Sequence, residues 1–360
     1  MHPPPHGRYI LNTPAAAIAG YPSAPMVSEL ADAEDGRTKE RVESLGEEGL
    51  KKLGERLEKA VAHNERPTPD EMLTAVPIPD HSKVMPVPLL AIHGGGASPL
   101  APRKGSGVGV EPELAKSILA DLTASSKASG GERLWVEWDH IESSFIVVRA
   151  GFDTTAMPEP LRLYLPLLLE LAFKMPAALD DGTYLPKDEF IEALKDDTVE
   201  SNAWFGLEWG RLSAGLLSFS IKTEGGDAGF ASALTWLRRA LHLTTLAHPQ
   251  YVRMSAKKMA STMTANFRSG DHVADCVRNA IEMEPASNDV ATAPFTQQPF
   301  LARLLARLES GPEGVAHVMS QLEACRAALV RPDRLQVFVQ GRLPALTSPY
   351  EPLVHALLDP

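Results

Sequence analysis

The apolar positions of this chain change period along its length, and the changes outline its elements. Across residues 134–152 (LWVEWDHIESSFIVVRAGF), Leu134, Val136 and Trp138 alternate with Trp135 and Glu137, the period of two expected of a half-buried strand. Phe145, Ile146, Val147 and Val148 form a second, β-branched and aromatic run, and Asp139, His140, Glu142, Ser143 and Ser144 predict a polar turn between the two. The pair predicts the start of a sheet on which helices are laid.

Beyond it the period lengthens. Over residues 158–173, Leu161, Tyr164, Leu165, Leu168, Leu169 and Ala172 share a broad helical face, with Pro158 acceptable in the first turn. Residues 186–195 predict a second short helix, 198–205 and 212–222 two further strands, and Glu224-Gly225-Gly226 a turn into a helix over 230–243. Helical spacing continues over 249–267, 271–283, 298–308 and 312–329, before 335–339 predicts a last strand, a candidate neighbour of the Phe145 run. Such segregation of strands and helices predicts an α+β fold, a sandwich of an antiparallel-rich sheet with helices on one face, and not a doubly wound parallel sheet.

The first third reads differently. Residues 37–65 place Val42, Leu45, Leu50, Leu53, Leu57 and Val61 at mostly helical spacing, predicting one long amphipathic helix interrupted near Gly46 and Gly49. Glu47 with Lys51 and Glu55 with Lys59 stand in the supportive order, acid first, so the charge run reads as a solvated face. Recurrent prolines over 67–88 predict an extended connector with one turn of helix at 70–75. His93-Gly94-Gly95-Gly96 and the run from Lys104 to Gly109 invite a phosphate-loop reading, because glycine amides can wrap an anion. Neither follows a predicted strand or carries Gly-Lys-Ser/Thr at the required spacing, so both are read as loop. Residues 15–19 read as a lone strand without a nearby partner.

Composition narrows the function classes. The 360 residues are 44% hydrophobic, enough for a proper core, while half of the 30 prolines fall in the first third and place the start of the compact domain near Gly131. A net charge of −11 argues against a surface built to collect nucleic acid, and Arg103-Lys104, the one local candidate for a basic groove, is too small to count. Cys276 and Cys325 make neither a Cys-rich metal site nor a disulfide framework. With no recognisable signal or transit segment and no membrane span, the expected location is cytoplasmic, with mitochondrial as the alternative.

A set of ordered words resembles a known family. Leu45-Gly46-Glu47-Glu48-Gly49-Leu50-Lys51-Lys52-Leu53, then Ala62, Asn64, Pro67, Pro69 and Pro77-Ile78-Pro79-Asp80, resembles the hinge of pitrilysin/insulinase-family zinc metallopeptidases, closest to the presequence-protease-like branch and its cytoplasmic fungal and animal members. Later words agree: Phe152-Asp153-Thr154, Pro158-Glu159, Tyr164-Leu165-Pro166-Leu167, Asp181-Gly182-Thr183, Asp197-Thr198-Val199, Trp236-Leu237-Arg238, Phe300-Leu301 and Leu308-Glu309. The resemblance runs over residues 18–339 and implies a mitochondrial-processing-peptidase-like module. On it, 1–35 is a remnant of a preceding module, 36–130 a hinge helix and Pro/Gly-rich linker, 131–342 the noncatalytic third module, and 343–360 a tail.

The chemistry of that family is missing from this chain. Its zinc sits on His-x-x-Glu-His, two imidazoles on one helical face with a glutamate ready to activate water, and the motif occurs nowhere in these residues. No catalytic, cofactor-binding or metal residue is therefore assigned, and zinc belongs to the complete family enzyme alone. The expected role is the non-zinc half of a peptide chamber, inactive alone, or a noncatalytic scaffold that pairs with a complementary half or with itself. Peptide is the substrate in the complete enzyme, and neither nucleic acid nor membrane is an expected partner.

Other constellations fare no better. His140-Ile141-Glu142 has the His-x-Glu of zinc deaminases without the Pro-Cys-x-x-Cys partner, and is read as turn. His242 and His248 read as helix-end residues, and Gly210-Arg211-Leu212-Ser213-Ala214-Gly215 only mimics a nucleophile elbow. Asp180-Asp181 and Asp196-Asp197 read as solvated acids, and Trp135, Trp138, Trp204, Trp209 and Trp236 as core or strand surface.

Overall fold

The computed structural model describes residues 23–75, 80, 85–96, 98–179, 181–206 and 215–358. They fall into two units, Met1–Val84 and Met85–Pro360. The predicted strand at 15–19 and the Gly210 to Ala214 elbow lie outside the described residues.

In the first unit, α1 (Ala24–Asn64) is the expected long helix, and it begins on a cap in which the Ser23 hydroxyl accepts from the Met26 N–H. It breaks at Gly46, whose φ of 59° and ψ of −176° are not helical, a conformation open to glycine because it has no Cβ. The i,i+4 pair that forms is Glu48 with Lys52 at 3.0 Å. A second helix, α2 (Asp70–Ala75), is the predicted single turn within the proline run.

The second unit opens with β1 (Leu90–Gly95), β2 (Ser98–Pro102), α3 (Pro112–Ser129), β3 (Trp135–His140) and β4 (Phe145–Asp153). Two short helices, α4 (Glu159–Arg162) and α5 (Leu165–Leu171), replace the single predicted one. Pro166 explains the break, since it has no N–H to donate and its ring would clash with the carbonyl of Arg162. A small ribbon of β5 (Ala177–Ala178) and β6 (Tyr184–Leu185) leads to α6 (Lys187–Asp197), β7 (Glu200–Phe205) and β8 (Leu216–Glu224). Then α7 (Gly226–Arg238) runs into a π-helical turn at Arg239–Leu243. The rest is α8 (Pro249–Asn266), α9 (Gly270–Glu282), α10 (Asn288–Thr292), α11 (Pro294–Glu309), α12 (Pro312–Leu329), β9 (Leu335–Gly341) and α13 (Tyr350–Leu357).

Seven strands form one sheet in the order β2-β1-β3-β9-β4-β8-β7. All neighbours are antiparallel except β3 and β9, so the class is α+β as expected. The last strand does pair with β4, Val148 opposite Val339, but it also pairs with β3, Val136 opposite Val337. The predicted β3–β4 pair is thus split by a strand from the far end of the chain. Both flanks and β9 carry fully buried apolar residues on one face, which makes β9 the better partner for each.

Two expected boundaries are corrected. The linker assigned to 36–130 contains two strands and α3, and Leu90, Ala91 and Ile92 are each no more than 2% exposed. Short apolar runs flanked by proline and glycine hide such strands. The glycines of His93-Gly94-Gly95 serve close packing: a Cβ at Gly95 (φ 124°) would lie 1.7 Å from the Leu134 carbonyl oxygen, and one at Gly94 2.7 Å from the Leu100 backbone. The tail assigned to 343–360 contains α13, whose Tyr350 is 1% exposed and accepts a hydrogen bond from Trp138 Nε1 at 2.9 Å. The Tyr350 N–H in turn donates to Ser125 Oγ on α3.

Tyr350 thereby ties the sheet, α3 and α13 together. Tyr350→Phe should cost about 1–3 kcal/mol by leaving the Trp138 indole N–H buried and unpaired. Tyr350→Ala should cost about 3–5 kcal/mol through the cavity it leaves. Urea denaturation checks both, as a fall in the midpoint at unchanged slope.

Candidate functional site

One face of the sheet carries the core and the other does not. On β4, Ile146, Val148, Ala150 and Phe152 are buried toward the helices, with α7 packed on β4 and β8. The period of two turns Val147 and Arg149 the opposite way. Register then aligns two polar rows across that second face. One runs Asp139, Gln340, Val147, Lys222, Glu200, and the other His93, Glu137, Phe338, Arg149, Ser220, Asn202.

These side chains make a shaped surface. A groove of about 500 Å3 lies over β4, β8 and β7, lined by Arg149, Asn202, Trp204, Ser220, Lys222 and Gln340. The Arg149 guanidinium carbon stands 5.4 Å from the Trp204 ring centre, and Lys222 Nζ 4.7 Å from that of Phe145. Toward the other edge His93 stacks on Trp135 at 6.2 Å, and Trp135 meets Phe338 edge-on at 5.7 Å. A second hollow of about 350 Å3 there is lined by Ala91, Arg103, Lys104, Ser106, Glu137 and Asp139. Arg103 pairs with Glu137 at 3.2 Å, so the small basic patch read as solvated loop is partly tied to the sheet.

Such a surface suits binding. It offers aromatic rings, amides and charges of both signs. Among the described residues no group of three or more His, Cys, Asp and Glu side chains could hold a metal ion.

The residues weighed in the sequence lie apart. His140 ends β3 instead of sitting in a turn. It is buried, its Nδ1 accepts from the Leu343 N–H at 3.4 Å, and its Nε2 lies 3.6 Å from Glu142. His242 lies in the π-helical turn, and His248 precedes α8 with its Nε2 3.0 Å from the Tyr184 hydroxyl. Asp197 accepts from Trp236 Nε1 at 3.0 Å and so is a packing partner, while Asp181 accepts from the Thr183 N–H in a turn. Both cysteines are free and buried, and burial pushes the Cys325 thiol up to about 12. Trp138 and Trp236 are core, Trp135 and Trp204 belong to the open face, and Trp209 lies outside the described residues. Arg149, Asn202 and Lys222 were missed. Their signal is the polar half of the strand alternation, which means little until register shows which strands are neighbours.

No protein-family model matches the chain. It is 24% identical over 246 residues to an uncharacterised protein of Schizosaccharomyces pombe, covering 66% of this chain and 22% of that protein. It is 21% identical over 351 residues to an uncharacterised protein of Saccharomyces cerevisiae, covering 96% of this chain and 32% of that one. The chain thus spans a third or less of the length of these relatives. Among solved structures, a protease from Helicobacter pylori is similar at TM-score 0.40 and 15% identity, over 58% of this chain and 44% of that one. A conserved protein from Enterococcus faecalis V583 is similar at TM-score 0.39 and 12% identity, over 58% and 48%. No helix among the described residues is long and apolar enough to cross a membrane.

Two half-buried titrating groups pull stability in opposite directions with pH. Burial first, and the Glu137 carboxylate second, raise Asp139 from 3.8 to about 6, against Arg103 and Arg149. Burial first, then Arg238 and Arg326, lower His242 from 6.5 to about 4. As pH falls from 6 to 4 the folded state protonates Asp139 before the unfolded chain does, which favours folding; over nearly the same window the unfolded chain protonates His242 first, which opposes it. Asp139→Asn should therefore steepen the loss of stability between pH 6 and 4, and His242→Gln should flatten it. Urea unfolding free energies measured at intervals across that window check both, and curves parallel to wild type would show that these groups titrate normally.

Proposed function

We propose that the chain is a noncatalytic α+β module of a pitrilysin-like zinc metallopeptidase, walling the peptide chamber and contributing no zinc ligand. The open sheet face supports this reading best. A surface of paired strands that alternates rings, amides and charges can hold polypeptide without cutting it. The ordered sequence words over residues 18–339 and the absence of His-x-x-Glu-His from the chain agree with such a division of labour.

Elemental analysis of purified chain, after zinc loading and dialysis, should find zinc well below one equivalent, and quenched fluorescent peptides should stay intact. Stoichiometric tightly held zinc or peptide cleavage would sink the reading. A transcript encoding an in-frame His-x-x-Glu-His upstream would strengthen it.

A second reading, a scaffold that pairs through its helix, draws on α1. Val42, Leu50, Leu53, Leu57 and Val61 are all at least 40% exposed there, and the last four, beyond the Gly46 break, form a stripe at 3–4 spacing that resembles a helix-pairing seam. Leu50→Asp with Leu57→Asp should then weaken association with a second copy or a complementary half. Light scattering across a concentration series decides for self-association, and a monomer at every concentration would refute it.

A further inference from the structure

The two edges of the sheet are built differently. β2 carries Pro99 and Pro102, which lack N–H groups and blunt that edge against further strands. β7, at the other end, has no proline and, among the described residues, pairs only with β8. Gly206 N–H donates to the Leu216 carbonyl, and the antiparallel alternation then turns the N–H and C=O groups of Ser201, Ala203 and Phe205 away from the sheet.

Grooves flank this edge on both faces. The open-face groove reaches β7 at Glu200, Asn202 and Trp204. A second groove, of about 570 Å3, opens on the helix side at Ser201 and Ala203, floored by Pro166, Leu169, Phe173, Ile191 and Leu194. A strand added to β7 would send alternate side chains into each. Their chemistry differs: the helix-side groove has an apolar floor with charges at its rim, while the open-face groove holds Lys222, which among the described residues forms no ion pair and rests on the Phe145 ring. Glu200, the acid of that groove, stands opposite Lys222 in register but forms no ion pair with it, and its carboxylate accepts instead from Asn202 Nδ2. On the helix side Glu170 is neutralised by Lys174 and Lys258 at 2.9 and 2.8 Å, leaving Lys195 at the rim without an acidic partner among the described residues.

We propose that β7 is a docking edge for an extended polypeptide segment in which apolar and acidic residues alternate, the apolar side chains entering the helix-side groove and the acidic ones lying over Lys222. Main-chain pairing supplies the affinity and the two grooves supply register. The proposal rests on the sheet edge and not on the peptidase reading: a zinc-loaded, active chain would overturn that reading and leave this one standing.

The test is a fluorescence anisotropy titration of the full chain with a labelled decapeptide of alternating Val and Glu. Three controls accompany it: the same peptide N-methylated at alternate residues, a Val-Lys peptide, and the variants Ala203→Pro and Lys222→Glu, with folding verified by circular dichroism. Saturable binding weakened about tenfold or more by N-methylation, by Glu-to-Lys exchange in the peptide and by either variant is the expected result. Because proline is tolerated on edge strands and N-methylation leaves the protein untouched, a folding defect cannot imitate all three losses. Absent binding, binding indifferent to N-methylation, or pairing of β7 with a second copy that excludes the peptide would overturn the proposal.

Discussion

The second unit depends on β9 hydrogen bonding on both sides. Leu335–Gly341 lies parallel to β3 and antiparallel to β4, and without it the sheet falls into two unconnected pieces, β2-β1-β3 and β4-β8-β7. Each piece alone would leave a central strand as an exposed edge, with its backbone groups unpaired beside an apolar core. Everything else follows from that closure. The polar rows exist because β9 brings Gln340 and Phe338 between residues of β3 and β4, and the core exists because Val337 and Val339 complete the apolar face.

Local pattern revealed the elements better than it revealed their neighbours. The strand runs around Val136 and Val148, the kink at Gly46, the turn of helix at Asp70–Ala75 and the α+β class were all readable from spacing and from glycine and proline chemistry. The insertion of β9 was half readable: its pairing with β4 was anticipated, while its pairing with β3 was masked by a polar segment that looked like a hairpin turn. β1 escaped because four apolar residues between Pro88 and a glycine run satisfy a loop as well as a strand until a partner is known. α13 escaped for a related reason, since only Trp138 and Ser125, far away in sequence, give Tyr350 a place to go.

The open face shows the same limit for function. Lys222, Arg149 and Asn202 are unremarkable polar residues in sequence, and they become a site only when register sets them side by side. The motifs that did stand out in the text, histidine and glycine clusters above all, turned out to serve packing: His140 holds the backbone at Leu343, and Gly94 and Gly95 admit neighbouring backbone at distances no side chain would allow. Prominence in sequence therefore followed unusual backbone needs, while the surface offered for recognition is composed of ordinary residues.

Because β9 comes after β4 by 182 residues (335 minus 153), the sheet cannot close until most of the unit has been synthesised. At the usual pace of translation the inner edges of β3 and β4 wait roughly 10–40 s for their shared partner. During that interval the strand edges that β9 will cover have no partner from this part of the sheet, and they are the place where a chaperone, or a wrong strand, would find its opening.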